Sequence, residues 1–138
     1  MALQPDARSC GRVFDEVAED YDRHRPTYPD VLVVREPQLL DERETLLNPT
    51  VLAEVLSPAT EAYDRGRKFE LYKSIESFQQ YLLAASDRIH VDLFTRQPEG
   101  GWLLNSADRL EDSLELQSIG CRLALADLYR NVDLTAAQ

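Results

Sequence analysis

Two short apolar runs, each interrupted by one acidic residue, constrain this chain more than any other feature. They are Tyr28-Pro29-Asp30-Val31-Leu32-Val33-Val34 and Thr50-Val51-Leu52-Ala53-Glu54-Val55-Leu56-Ser57-Pro58, with Lys68 further along. A carboxylate on a buried strand loses its hydration, and the cost stands unless a cation or hydrogen bonds replace the water. Two such acids point to a bound cation more readily than to ordinary packing, so a metal site is the first expectation.

The rest of the chain reads as one domain. A chain of 138 residues buries roughly two thirds of its unfolded surface. No apolar stretch approaches the ~20 residues a membrane helix needs, so no membrane span is expected. Met1 to Ser9 lacks the apolar core of a signal peptide, which makes the cytoplasm the expected location. Cys10 and Cys121 match neither a disulfide framework nor a zinc pattern and read as free thiols. The net charge of -10 argues against a general nucleic-acid binder, whose affinity comes from cations that displace phosphate counterions. Arg65, Arg67, Lys68 and Lys73 cluster between Glu61 and Glu76, the face any phosphate contact should use, although a solvated helix laced with ion pairs is the plainer reading.

Spacing and breakers predict the elements. Phe14, Val17, Ala18 and Tyr21 give a helix over Arg12 to Arg23, stopped by His24-Arg25-Pro26. Asp30 to Val34 is a β-branched strand between prolines, and Glu36 to Asn48 a polar connection. Thr50 to Leu56, nearly all apolar, reads as a central strand. Ser57-Pro58 reads as a helix cap, and Tyr63, Phe69, Tyr72 and Ile75 as the apolar face of a helix of about four turns. Strands follow at Gln80 to Ala85 and Ile89 to Thr95, antiparallel across Ser86-Asp87-Arg88. The alternation over Ile89 to Thr95 reads as sheet patterning without catalytic content. After the turn at Gln97 to Gly101 come strands at Trp102 to Asn105 and Leu114 to Leu116, then a helix over Ala124 to Val132.

If the two acid-bearing runs pair as neighbours, Asp30 and Glu54 approach within a few ångströms. Hard oxygen ligands with room for water suit Mg2+ or Mn2+, and such an ion activates water and neutralises charge on a phosphodiester oxygen. Lys68, on the helix leaving the second strand, could orient or deprotonate that water or stabilise the phosphate; as an ordinary helical lysine it would face solvent. Asp64 and Tyr72 read as supporting polar groups. His24 and His90 lack partners at zinc spacing, and Ser57 lacks a nucleophile-elbow context.

These residues carry a family resemblance. Tyr28 to Val34, Leu46-Leu47-Asn48-Pro49-Thr50 through Glu54 to Lys68-Phe69 with Tyr72, and Ser118 to Tyr129 resemble the Uma-two restriction endonucleases of the PD-(D/E)XK nuclease superfamily. The resemblance implies an α/β (α+β) fold with a restriction-endonuclease-like mixed β-sheet flanked by helices. It further implies a magnesium site at Asp30 and Glu54, DNA as substrate, and homodimerisation that would cover an exposed sheet edge. The superfamily motif places a lysine two residues after the acid; Leu56 stands there, and the family's displaced lysine corresponds to Lys68. Family members commonly have an acid where Gln80 stands, and a longer region ahead of Tyr28.

Gly11 to Pro29 instead resembles the opening helix of class I S-adenosylmethionine-dependent methyltransferases. No glycine-rich cofactor loop follows, so methyltransferase activity is not expected. The reading is therefore an atypical helical segment over residues 1–27, a nuclease domain over 28–134 shortened at its N-terminus, and a fused or rearranged reading frame. The alternative is a catalytically inactive remnant or interaction module that keeps the sheet.

Overall fold

The computed structural model describes residues 8–9, 31–34, 39–42, 47–132 and 134. Asp30, Cys10, His24 and the helix expected over Arg12 to Arg23 lie outside them.

The main sheet is built around its two most apolar strands. β3 (Val51–Leu56) and β4 (Gln80–Ala85) run parallel at its centre; all of β4 and five of the six residues of β3 are buried, as the near-continuous hydrophobic runs require. A parallel pair needs a crossover, which the helical stretch 61–73 supplies. β2 (Val31–Val33) pairs antiparallel with β3, and β5 (Val91–Arg96) and β6 (Trp102–Ala107) extend the sheet antiparallel beyond β4, giving the order β2-β3-β4-β5-β6. The expected strand over Ile89 to Thr95 is shifted toward the C-terminus, because Ile89 and His90 belong to the turn. Gly100 and Gly101, at φ of 97° and 80°, close the β5–β6 hairpin in a backbone region that side chains disfavour.

The second sheet has the order β1-β8-β7, from β1 (Arg8–Ser9), β7 (Ser113–Leu116) and β8 (Cys121–Ala124). The helix expected over Ala124 to Val132 is only the single turn α3 (Leu125–Leu128), with β8 running up to Ala124 just before it. Leu114 opposite Leu123 and Leu116 opposite Cys121 bury alternate residues in an antiparallel ladder, which makes this short stretch a strand. Cys121 is disulfide-bonded, which corrects the free-thiol reading there.

Strand alternation divides the core in two. Val31, Ala53, Leu82, Ala84, Val91 and Leu93 face the second sheet and α3. Leu52, Leu56, Tyr81 and Leu83 face the crossover helix and pack with Phe69 and Phe78. The Phe69 ring lies 4.9 Å from Tyr81, 4.9 Å from Phe94 and 5.1 Å from Trp102. Burying each such ring contributes about 1.5–3 kcal/mol, so this cluster seats the helix on the sheet. Tyr129 fastens the other end of the core: its hydroxyl lies 2.7 Å from the Ala85 carbonyl and 3.0 Å from that of His90, and it accepts the His90 N–H at 3.2 Å. No helix among the described residues is long and apolar enough to cross a membrane.

Candidate active site

The crossover helix is not uniform. α1 (Glu61–Tyr63) passes into a π-helical turn over Asp64–Lys68, and α2 (Phe69–Lys73) continues it. Widened turns of this kind are rare and recur at functional sites. Ser57 is not the cap that the sequence suggested. Thr60 holds that position, its Oγ1 accepting the Ser57 N–H at 3.3 Å and lying 3.0 Å from Ser57 Oγ.

The π-helical turn brings Asp64 and Lys68 against the sheet beside Glu54. Lys68 Nζ donates to Glu54 Oε1 at 3.0 Å and lies 3.3 Å from Asp64 Oδ1. All three side chains are at most 5% exposed. The Tyr72 hydroxyl, 3.3 Å from the same Glu54 oxygen, donates to it, and the Tyr81 hydroxyl holds the Asp64 carbonyl at 2.8 Å. Of the two expectations for Lys68, the inward one holds: it is a buried member of an acid–lysine–acid group, with the Tyr72 hydroxyl on the same Glu54 oxygen.

Electrostatics fix the charge states. Burial alone would lower the Lys68 pKa, but the hydrogen bond and charge of Glu54, with the charge of Asp64, outweigh it and hold the ammonium above its ordinary value. Lys68 is therefore held as an ammonium between the two carboxylates. Burial and the nearby Glu54 charge push the Tyr72 phenol well up, so it stays a donor.

Asp30, the other expected ligand, lies outside the described residues. Its neighbour Val31 pairs with Ala53, the neighbour of Glu54, so the two acid-bearing runs are adjacent antiparallel strands. Among the described residues no cluster of three His, Cys, Asp or Glu side chains could hold a metal. Leu56, at the motif's usual lysine position, is 2% exposed and belongs to the aromatic-lined core. The lysine on the helix reaches the same acid from above.

Other functional expectations divide. Of the four clustered cations, Arg65 binds Glu61 and Asp92, Lys68 is buried, and Lys73 binds Glu70 at 2.9 Å; Arg67 is exposed. The ion pairs of the plainer reading form at Arg65 and Lys73, while Lys68 turns inward to Glu54. Gln80 is fully buried, donating to Thr95 Oγ1 at 3.1 Å and accepting from the backbone N–H and hydroxyl of Ser118. It ties the main sheet to the 3-10 turn Gln117–Ile119 between β7 and β8.

Sequence reasoning passed over Asp92. In the ladder, Glu54, Leu83, Asp92 and Ser106 form one row across the sheet, so Asp92 shares the helix-facing surface with Glu54. Its carboxylate accepts from Arg65 at 2.8 Å and Ser106 at 2.5 Å and lies 3.0 Å from His90 Nε2. Burial alone would raise its pKa, but the Ser106 and Arg65 bonds and the His90 and Arg65 charges outweigh it and hold the carboxyl below its ordinary 3.8. The available signal was one acid in an otherwise alternating apolar strand, the same signal that marked Glu54.

A mixed sheet with a parallel central pair, crossed by a helix that returns a lysine to a strand-borne acid, defines a restriction-endonuclease-like nuclease fold. The crystal structure of a "putative nuclease belonging to DUF820" from Anabaena variabilis superposes with a TM-score of 0.58, at 18% identity, over 88% of this chain and 76% of that one. The chain belongs to the Uma2 family, described as "Putative restriction endonuclease", whose match spans residues 2–126. Two uncharacterized Synechocystis proteins are similar: one is 41% identical over 77% of this chain and 55% of its own length, the other 35% identical over 56% and 45%. The chain thus spans about half the length of these curated relatives.

Proposed function

We propose that this chain is a divalent-metal-dependent DNA endonuclease, with Asp30 and Glu54 holding the ion and Lys68 acting beside it. The supporting observation is the buried Lys68–Glu54 contact at 3.0 Å, which returns the missing motif lysine to the expected acid. The donors suit the ion: one or two carboxylates plus substrate phosphate is the usual magnesium set, with water filling the remainder. When bound, magnesium supplies Lewis-acid polarisation of the phosphoryl oxygen and an acidified water.

The protein's own groups have separate tasks. Lys68, held cationic, donates to a phosphate oxygen and offsets the charge that grows there in the transition state. Tyr72 orients the Glu54 carboxylate through its hydroxyl, and Asp64 keeps the ammonium from turning away. A substrate phosphate competes with both carboxylates for the Lys68 ammonium.

Cleavage of plasmid DNA in magnesium or manganese, run beside Glu54→Gln, tests the reading. Cleavage that is lost in the variant while its circular dichroism stays native supports it; cleavage indifferent to the substitution overturns it. One observation favours a second reading, an inactive nuclease fold: Lys68 is already paired on two sides by Glu54 and Asp64. Manganese calorimetry separates the two, because saturable binding abolished by Asp30→Asn belongs only to the enzyme.

A further inference from the structure

β5 grips the crossover helix at two places. Near the helix start, Asp92 Oδ2 accepts from Arg65 Nη1 at 2.8 Å, while Arg65 Nε binds Glu61 at 2.8 Å. At the helix end, Arg96 donates to the carbonyls of Phe78 at 2.8 Å, Lys73 at 3.0 Å and Ile75 at 3.2 Å, its guanidinium 4.8 Å from the Trp102 ring. Asp92 and Arg96 are four residues apart on one face of the strand, a span of about 13 Å. The acid lies toward the positive end of the helix dipole and the arginine at the negative end, the favourable sign at each. Lys68 lies between the two grips.

The π-helical turn is tied to the sheet through Lys68 and Glu54, through the Tyr81 hydroxyl on the Asp64 carbonyl, and through Arg65 and Asp92. Gly66 adds backbone freedom inside the turn, and a side chain there would meet no atom of the described residues within 4 Å. Arg65, the second residue of the turn, is fixed to the sheet through Asp92, and Asp92 is itself held by Ser106 and His90. Without that tie the turn can relax toward ordinary helix, rotating Lys68 about the axis and away from Glu54.

We propose that Asp92, acting through Arg65, is a positioning residue that sets the turn of helix carrying Lys68 over Glu54. The inference rests on the nuclease reading for its effect on turnover, but its effect on Lys68 stands apart from it. Asp92→Asn and Arg65→Gln should each lower kcat for DNA cleavage about 10–100-fold, as loss of a group supporting an active-site residue does, with KM nearly unchanged. Arg65→Lys, which keeps the charge, should recover part of the loss, and the two losses should not multiply in the double variant. Nitrogen-15 NMR of the Lys68 ammonium gives a readout besides activity: its signal should lose exchange protection in Asp92→Asn while the thermal transition stays cooperative.

The outcomes separate cleanly. If Glu54→Gln abolishes cleavage but Asp92→Asn leaves both kcat and the Lys68 signal as in the native chain, the positioning role is overturned. If Glu54→Gln leaves cleavage intact, the nuclease reading fails, and the ammonium signal still decides for or against positioning. A variant that does not fold is replaced by Arg65→Lys, for which a native signal with wholly lost cleavage also counts against the role.

Discussion

Replacing Lys68 by methionine keeps most of the apolar stem and removes only the ammonium, leaving Glu54 and Asp64 facing each other in a buried site. Each carboxylate is within 3.3 Å of Nζ, a gross attraction of about 5 kcal/mol per contact at an effective dielectric near 20. Desolvation offsets much of that attraction. What the substitution exposes is the cost of uncompensated buried charge, about 3–5 kcal/mol when one partner of such a pair is removed. Against a total stability of roughly 5–15 kcal/mol, Lys68→Met should lower the urea midpoint by about 2 M, taking a slope near 2 kcal/mol/M. Adding Glu54→Gln should restore part of the loss, because a neutral amide does not need the ammonium. A loss under about 1 kcal/mol, or a double variant as unstable as the sum of the singles, would refute a buried, mutually dependent acid–lysine–acid group.

Three further outcomes follow from the same packing. Phe69→Ala removes the ring at the centre of the aromatic cluster and should cost about 3–5 kcal/mol in chemical denaturation, with the helix signal in circular dichroism lost first. Arg96→Ala strips a charged donor from the helix-end carbonyls and should cost about 1.5–3 kcal/mol, with faster amide exchange over residues 69–75. Asp92 has a depressed folded-state pKa, so its contribution is present above its ordinary 3.8 and is lost as pH falls through the lower folded value. The stability gap between the native chain and Asp92→Asn should therefore be constant near neutrality and close only below that point in acid titrations followed by fluorescence; a gap that closed around pH 6 would place the dependence on another group.

The sequence made the central sheet legible because β3 and β4 are buried on both faces, and continuous apolar runs bounded by turn residues have few other uses. Glu54 stood out for the same reason, as an acid where burial leaves none unpaired. The π-helical turn was not legible: its residues have ordinary helical character, and only docking to the sheet fixes their register. Asp92 was hidden by its own strand, whose alternation explained it too easily. β8 went unread because a strand of four residues carries little pattern of its own, and only the ladder with β7 defines it. Lys68 could be placed on the right helix, yet its inward direction depends on Asp64, Glu54 and the turn together, which no local pattern encodes.

The phenol of Tyr129, which bonds to the Ala85 carbonyl and the His90 amide at one end of the β4–β5 hairpin, ties the order of biosynthesis to the order of assembly. A ribosome releases both strands of that hairpin well before residue 129 emerges, so the nascent hairpin waits with these backbone groups bound to water. Chains stopped just before residue 129 would keep nearly every buried residue of the β4–β5 hairpin and still leave that seam open, so the closing of this seam waits on a residue some forty positions downstream.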